Sequence, residues 1–168
     1  MTAMAEAYAT SFEYPDIKQV DPEYSNIEGD IYTLRVMKLT LVEPDIDKAA
    51  AGKKPYVLGQ FAVTRHAKHS ARRLSKFFNN VIDPASRDLK DLAKLAKVTG
   101  VPFNTTLPEW LTQVTQEQPE FKAPVLLEPQ YANVKAADGI WSKVPKLEDN
   151  GDATMGNRID FRNAQPAN

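Results

Sequence analysis

The run Ile31-Tyr32-Thr33-Leu34-Arg35-Val36-Met37-Lys38-Leu39-Thr40-Leu41-Val42 constrains the fold more than any other stretch of this chain. Ile31, Met37, Leu39 and Leu41 fall on one parity; Tyr32, Leu34, Val36 and Val42 fall on the other. A strand with one buried face alternates apolar and polar residues. Apolar groups on both parities mean a strand covered on both sides, or one that bends and serves two sheets. The first strand of a small closed barrel does the latter. Gly29 marks a turn before this run and Pro44 stops it.

The rest of the chain supplies the partners for such a strand. Asp45 to Pro55 is a polar connection holding Gly52, Lys53 and Lys54. Tyr56 to Arg65 reads as a second strand, with Val57, Phe61 and Val63 on the core face and Tyr56, Leu58, Gln60 and Thr64 on the other. Gly59 in its middle predicts a bulge or bend. His66 to Ala71 form a basic turn, and Arg72 to Phe78 a third strand. Alternation sends one of Phe77 and Phe78 inward and the other outward, without saying which.

Asp83-Pro84 predicts a helix start, with Asp83 as the cap and Pro84 at the first helical position. Leu89, Leu92, Ala93, Leu95 and Ala96 make its apolar stripe, and Gly100 ends it. A second, short helix begins near Thr106, where Thr106 and Glu109 have capping-box spacing and Trp110, Leu111 and Val114 form the core face. Pro124–Leu127 and Tyr131–Val134 read as short strands, and Asp138-Gly139 turns the chain into Ile140–Val144. Trp141 is expected in the core, with base stacking as the competing reading.

Three strands, one or two helices, then two or three strands predict a mainly β fold. The expected architecture is an OB-fold-like five-stranded barrel over residues 29–147, with the helix between strands 3 and 4. Residues 1–28 mix Tyr, Pro, Asp and Ser without a period and read as an irregular N-terminal arm, pinned by Phe12, Tyr14 or Tyr24. Residues 148–168 are rich in Asn, Asp and Gly and read as a flexible C-terminal tail.

Charge is sorted along the sequence. Between Lys48 and Ile82 there is no Asp or Glu, yet Lys48, Lys53, Lys54, Arg65, Lys68, Arg72, Arg73 and Lys76 are all there. The formal net charge is -1, so the remainder carries -1 - 8 = -9. Tyr56, Phe61, Phe77 and Phe78 are interleaved with these cations. Cations beside flat rings are what single-stranded nucleic acid requires, and a solvated strand pair is the competing reading. The candidate nucleic-acid residues are Lys53, Lys54, Tyr56, Arg65, His66, Lys68, His69, Arg72, Arg73, Lys76 and Phe77. Tyr56 is the leading base-stacking ring, and Phe61 is assigned to the core. The two histidines are expected to meet phosphate or solvent, more tightly when protonated.

Catalysis finds little support. The chain has no cysteine, so disulfides, thiol nucleophiles and cysteine-based metal sites are excluded. His66-x-x-His69 lacks the third and fourth ligands that zinc needs, save for carboxylates such as Asp83. No G-x-S-x-G motif or Gly-rich phosphate loop occurs. The reading is a non-enzyme with no metal and no cofactor. Neither a secretory leader nor a membrane-length apolar stretch is visible, so a soluble, cytoplasmic protein is expected.

The stretches Gly29-Asp30-Ile31-Tyr32 through Leu41, Tyr56-Val57-Leu58-Gly59-Gln60-Phe61-Ala62-Val63 and Arg72-Arg73-Leu74-Ser75-Lys76-Phe77-Phe78-Asn79 resemble phage-encoded single-stranded DNA-binding proteins of the OB class. Tyr131-Ala132-Asn133-Val134-Lys135 is similar to their fourth-to-fifth strand region. The resemblance spans about Gly29 to Val144 and is one of residue types rather than of a diagnostic motif. It implies cooperative or homo-oligomeric coating of single-stranded DNA in replication or recombination, with RNA left open as a ligand. The ending Ala164–Asn168 departs from the acidic, apolar-tipped tails of bacterial single-strand-binding proteins. The runner-up reading is a virion structural or decoration protein that embraces neighbours with its two arms. A small protein–protein adaptor is the third.

Overall fold

The structure, a computed structural model, describes residues 13, 14, 16, 18 and 26–168. The expected N-terminal arm therefore lies almost wholly outside the described residues.

The long run forms β1 (Asp30–Val42), as its double parity requires. Its N-terminal half pairs with β4 (Glu120–Pro129) on one edge, and nearly its whole length pairs with β2 (Tyr56–Thr64) on the other. Tyr32, Leu34, Val36 and Leu39 point inward and are buried. The parity switch comes from a register shift between Val36 and Lys38. The bulge is therefore at Met37 on β1, not at Gly59 on β2. A bulge leaves one residue out of the ladder, and here Gln118 Nε2 donates to the Met37 carbonyl at 3.1 Å.

Gly59 serves another purpose. A Cβ there would lie 2.8 Å from Phe61 Cε2 and 3.0 Å from Phe78 Cε2. Its bare backbone makes room for two core rings.

β2 pairs with β3 (Arg73–Phe78) in the register Val57↔Phe78, Gly59↔Lys76 and Phe61↔Leu74. The polar connection before β2 contains a one-turn helix, α1 (Ile46–Ala50), capped by Asp45. After β3 come α2 (Arg87–Thr99) and α3 (Leu107–Glu117). α2 starts later than Asp83-Pro84 predicts. Ser86 is the cap and accepts from the Leu89 amide at 3.1 Å, while Asp83 closes the preceding turn by accepting from the Ala85 amide at 2.9 Å. Gly100 ends α2 in the left-handed region, at φ 75°. Thr106 caps α3 by accepting from the Glu109 amide. Trp110 is buried, and its indole Nε1 donates to the Val101 carbonyl at 3.0 Å.

The C-terminal third differs most from expectation. β4 is followed by a hairpin, β5 (Tyr131–Lys135) and β6 (Trp141–Pro145), which forms a separate two-stranded sheet. The fifth strand of the main sheet is β7 (Met155–Ile159), drawn from the expected flexible tail. A 3-10 turn, Phe161–Asn163, and the short β8 (Gln165–Pro166) follow, and β8 also pairs with β4.

The main sheet is an antiparallel half-barrel in the order β3-β2-β1-β4-β7, with both helices inserted between β3 and β4. The ring of Phe161 is buried against Phe61, Phe78 and Phe121, with centroids 5.5, 5.6 and 6.0 Å away. α2 adds Leu92, Leu95 and Ala96 to this core, and α3 adds Trp110, Leu111 and Val114. Among the described residues no helix is long and apolar enough to cross a membrane.

Candidate nucleic-acid interface

Strand parity sorts the predicted residues into groups that do not all meet. Arg73, Ser75 and Phe77 stand on the outer face of β3, opposite Ala62, Gln60 and Leu58 of β2. Phe77 is 54% exposed and Phe78 fully buried, which settles the pair. Phe77 lies 6.0 Å from Tyr56, centroid to centroid, so the two rings form an outward platform at the start of β2. Lys48, Lys53 and Lys54 line a groove with Tyr56 and Asn79, and the carboxylates Glu43 and Asp45 line it too.

Lys68, Arg72 and Arg73 border a shallow depression at the β2–β3 turn, the opposite end of the ribbon. β2 has nine residues, so the two cationic groups are roughly 27 Å apart at ~3.4 Å per residue. They bracket the sheet face rather than gather in one cluster.

Three predicted residues have other primary contacts. Arg65 Nε lies 3.1 Å from Glu120 Oε2, and Arg35 lies 2.8 Å from the other carboxylate oxygen. His69 Nε2 sits 2.7 Å from Glu28 Oε2, and its side chain is only 14% exposed. His66 Nδ1 accepts from the amides of Lys68 and His69 at 3.1 and 2.9 Å. The two imidazoles stack at 5.0 Å, and the Tyr32 ring lies 5.1 Å from His66. Both rings thus have contacts within the fold, and His69 also lines the depression beside Lys68, Arg72 and Arg73. Lys76 has inward parity. It pairs with Gly59, and its Nζ lies 5.7 Å from the Phe78 ring at the unpaired margin between β3 and β7.

The Glu120 cluster carries a pH signature. The Arg35 hydrogen bond, aided by Thr64 and Arg65 and opposed by desolvation, holds its carboxyl below the ordinary value of 4.5. A depressed carboxylate stabilises the fold above the unfolded value and ceases to do so as pH falls through the folded value. Urea midpoints are therefore expected to drop on acidification from about pH 6 to about pH 3, and less steeply in Glu120→Gln than in wild type.

The hairpin supplies residues that sequence reasoning missed. Its register pairs Tyr131↔Pro145, Asn133↔Lys143 and Lys135↔Trp141, so Tyr131, Lys135, Trp141 and Lys143 share one face. Trp141 is 64% exposed, which corrects its expected place in the core, and Tyr131 is 55% exposed. Lys135 Nζ lies 5.8 Å from the Trp141 ring centre, within cation–π range. Phe77, Tyr131 and Lys146 line one groove between β3 and the base of the hairpin.

The rings thus run in sequence, half-buried Tyr56 and then exposed Phe77, Tyr131 and Trp141, with lysines alongside. The available signal was the hairpin's alternation: Tyr, Asn and Lys on one parity of β5 and Trp, Lys and Pro on the facing parity of β6 are not core residues. No family model matches this chain, and it has no match among curated proteins or solved structures.

Proposed function

We propose that this protein binds single-stranded DNA with little regard for sequence, and acts in replication or recombination without being an enzyme. The observation that carries the reading is the row of rings from half-buried Tyr56 through exposed Phe77 and Tyr131 to exposed Trp141, flanked by Lys53, Lys54, Lys143 and Lys146. Every base offers a flat face, so a row of rings holds any sequence, while lysines meet the backbone.

Strand connectivity supports an OB-like barrel as the scaffold. β1 pairs with both β2 and β4, helices intervene before β4, and β7 lies beside β3. In such barrels the face of strands 2 and 3 and the loop between the last two strands hold oligonucleotides. The β5–β6 hairpin occupies that loop, between β4 and β7. The decoration-protein reading loses one of its two arms, because residues 155–159 and 165–166 pair with β4.

With about five cations on phosphate, the log–log salt slope for an oligo-thymidine strand is expected near -3.5, at ~0.7 per contact. Fluorescence titration across salt measures it, with single-stranded RNA and duplex DNA as comparisons. A flat salt response, or no binding at low salt, sinks the proposal.

A further inference from the structure

The groove at Phe77 and Tyr131 does not end at the hairpin. Lys76, Glu128, Arg158 and Ile159 wall both this groove and a second cleft along the margin between β3 and β7. No backbone ladder joins those two strands, so side chains alone fill the margin. Arg87, Asp91 and Arg162 in turn wall both that cleft and a third depression, which Lys90 and Lys94 border. Through these shared walls the three depressions adjoin one another and mark out a trough from the outer sheet face to helix α2.

We propose that this trough is a second backbone-binding track. A strand held at Phe77 and Tyr131 continues past Lys76 and lays its phosphates against Arg87, Lys90, Lys94 and Arg162. The inference rests on the single-strand reading above and extends it to a surface outside the row of rings.

Helical spacing places Arg87, Lys90 and Lys94 on one side of α2, at i, i+3 and i+7. Arg162 lines the same depression from the 3-10 turn. Phosphodiesters carry one charge per nucleotide and need cations in a row, which this arrangement provides.

The trough's carboxylates do not close it. Glu128 is held by Arg158 at 2.6 and 3.4 Å, and Asp160 accepts from Asn163 at 2.7 Å. Burial pushes the Asp91 carboxyl up, and the positive charges of Lys76 and Arg87 beside it oppose that shift.

The test titrates the full chain with oligo-thymidines of about 6 and about 30 nucleotides, one near the lower end of the ~4–16 nucleotides typical of one OB fold and one well beyond it. The variants are Arg87→Ala/Lys94→Ala/Arg162→Ala together, and Lys90→Glu alone on the exposed helix surface. For the long strand the triple variant is expected to flatten the salt slope by about 2, at ~0.7 for each of three lost contacts. For the short strand it should match wild type, and Lys90→Glu should repeat the pattern more weakly.

Wild-type affinity on the long strand in both variants overturns the second track and leaves the ring groove standing. Equal losses on both lengths, with unchanged melting, also overturn a separate track. Failure of the wild-type protein to bind either length removes the single-strand reading itself, and the track with it.

Discussion

The variant Phe77→Ala/Tyr131→Ala/Trp141→Ala is expected to lose affinity for oligo-thymidine by roughly 100-fold or more, since each stacked base contributes ~1–3 kcal/mol. Its stability should stay close to wild type, because exposed side chains contribute little to the core and surface changes usually fall within about 0.5 kcal/mol. Fluorescence anisotropy of a labelled strand measures the first quantity and thermal unfolding the second. The two tryptophans give an internal check. Trp141 is exposed and Trp110 is buried with its indole bonded to a backbone carbonyl. Strand binding should therefore quench Trp141 emission and leave a residual signal from Trp110 in Trp141→Ala. Unchanged affinity in the triple variant would end the case for stacking on these rings.

Phe161→Ala is expected to destabilise the fold by about 3–5 kcal/mol, the usual cost of removing a buried phenyl ring. Domains of this kind hold only ~5–15 kcal/mol in total, so the urea midpoint should fall by a large fraction. The ring is packed against Phe61, Phe78 and Phe121 from three strands, and its loss leaves a void where the sheet curls on itself. Truncation after Glu148 removes β7 as well and should give a chain without a cooperative transition. Had residues 148–168 been a flexible tail, truncation there would leave the midpoint unchanged. That outcome would contradict the packing described here.

The first half of the fold was legible because its side chains encode it. The two parities of Ile31–Val42 announced a strand serving two neighbours, and the alternation of Val57, Phe61 and Val63 named the inner face of β2. Thr106 and Gly100 marked helix ends through chemistry that few other residues perform. β7 was hidden because Met155-Gly-Asn-Arg-Ile159 has only two large apolar residues, and its pairing with β4 rests on backbone groups common to every sequence.

At the candidate interface, Tyr56 could be placed from parity and neighbouring cations, whereas parity left Phe77 and Phe78 undivided until burial separated them. For Trp141 indole hydrophobicity points to the interior, and the hairpin's polar alternation was the one sequence signal against it. The histidines have partners that no local pattern announces. Their basic neighbours suggested phosphate, whereas Glu28 and Tyr32, more than 30 residues upstream, claim their rings.

The half-barrel draws its closing strand and its central ring from residues 155–161, while the rings they cover come from positions 61, 78 and 121. Translation proceeds from the N-terminus, so the nascent polypeptide carries an open, greasy sheet until that late segment emerges. Pairings so distant along the chain are slow to form, and unfinished sheets are prone to stick to one another. Before residues 155–161 pack, Phe61, Phe78 and Phe121 lack their cover, and self-association is then most favoured.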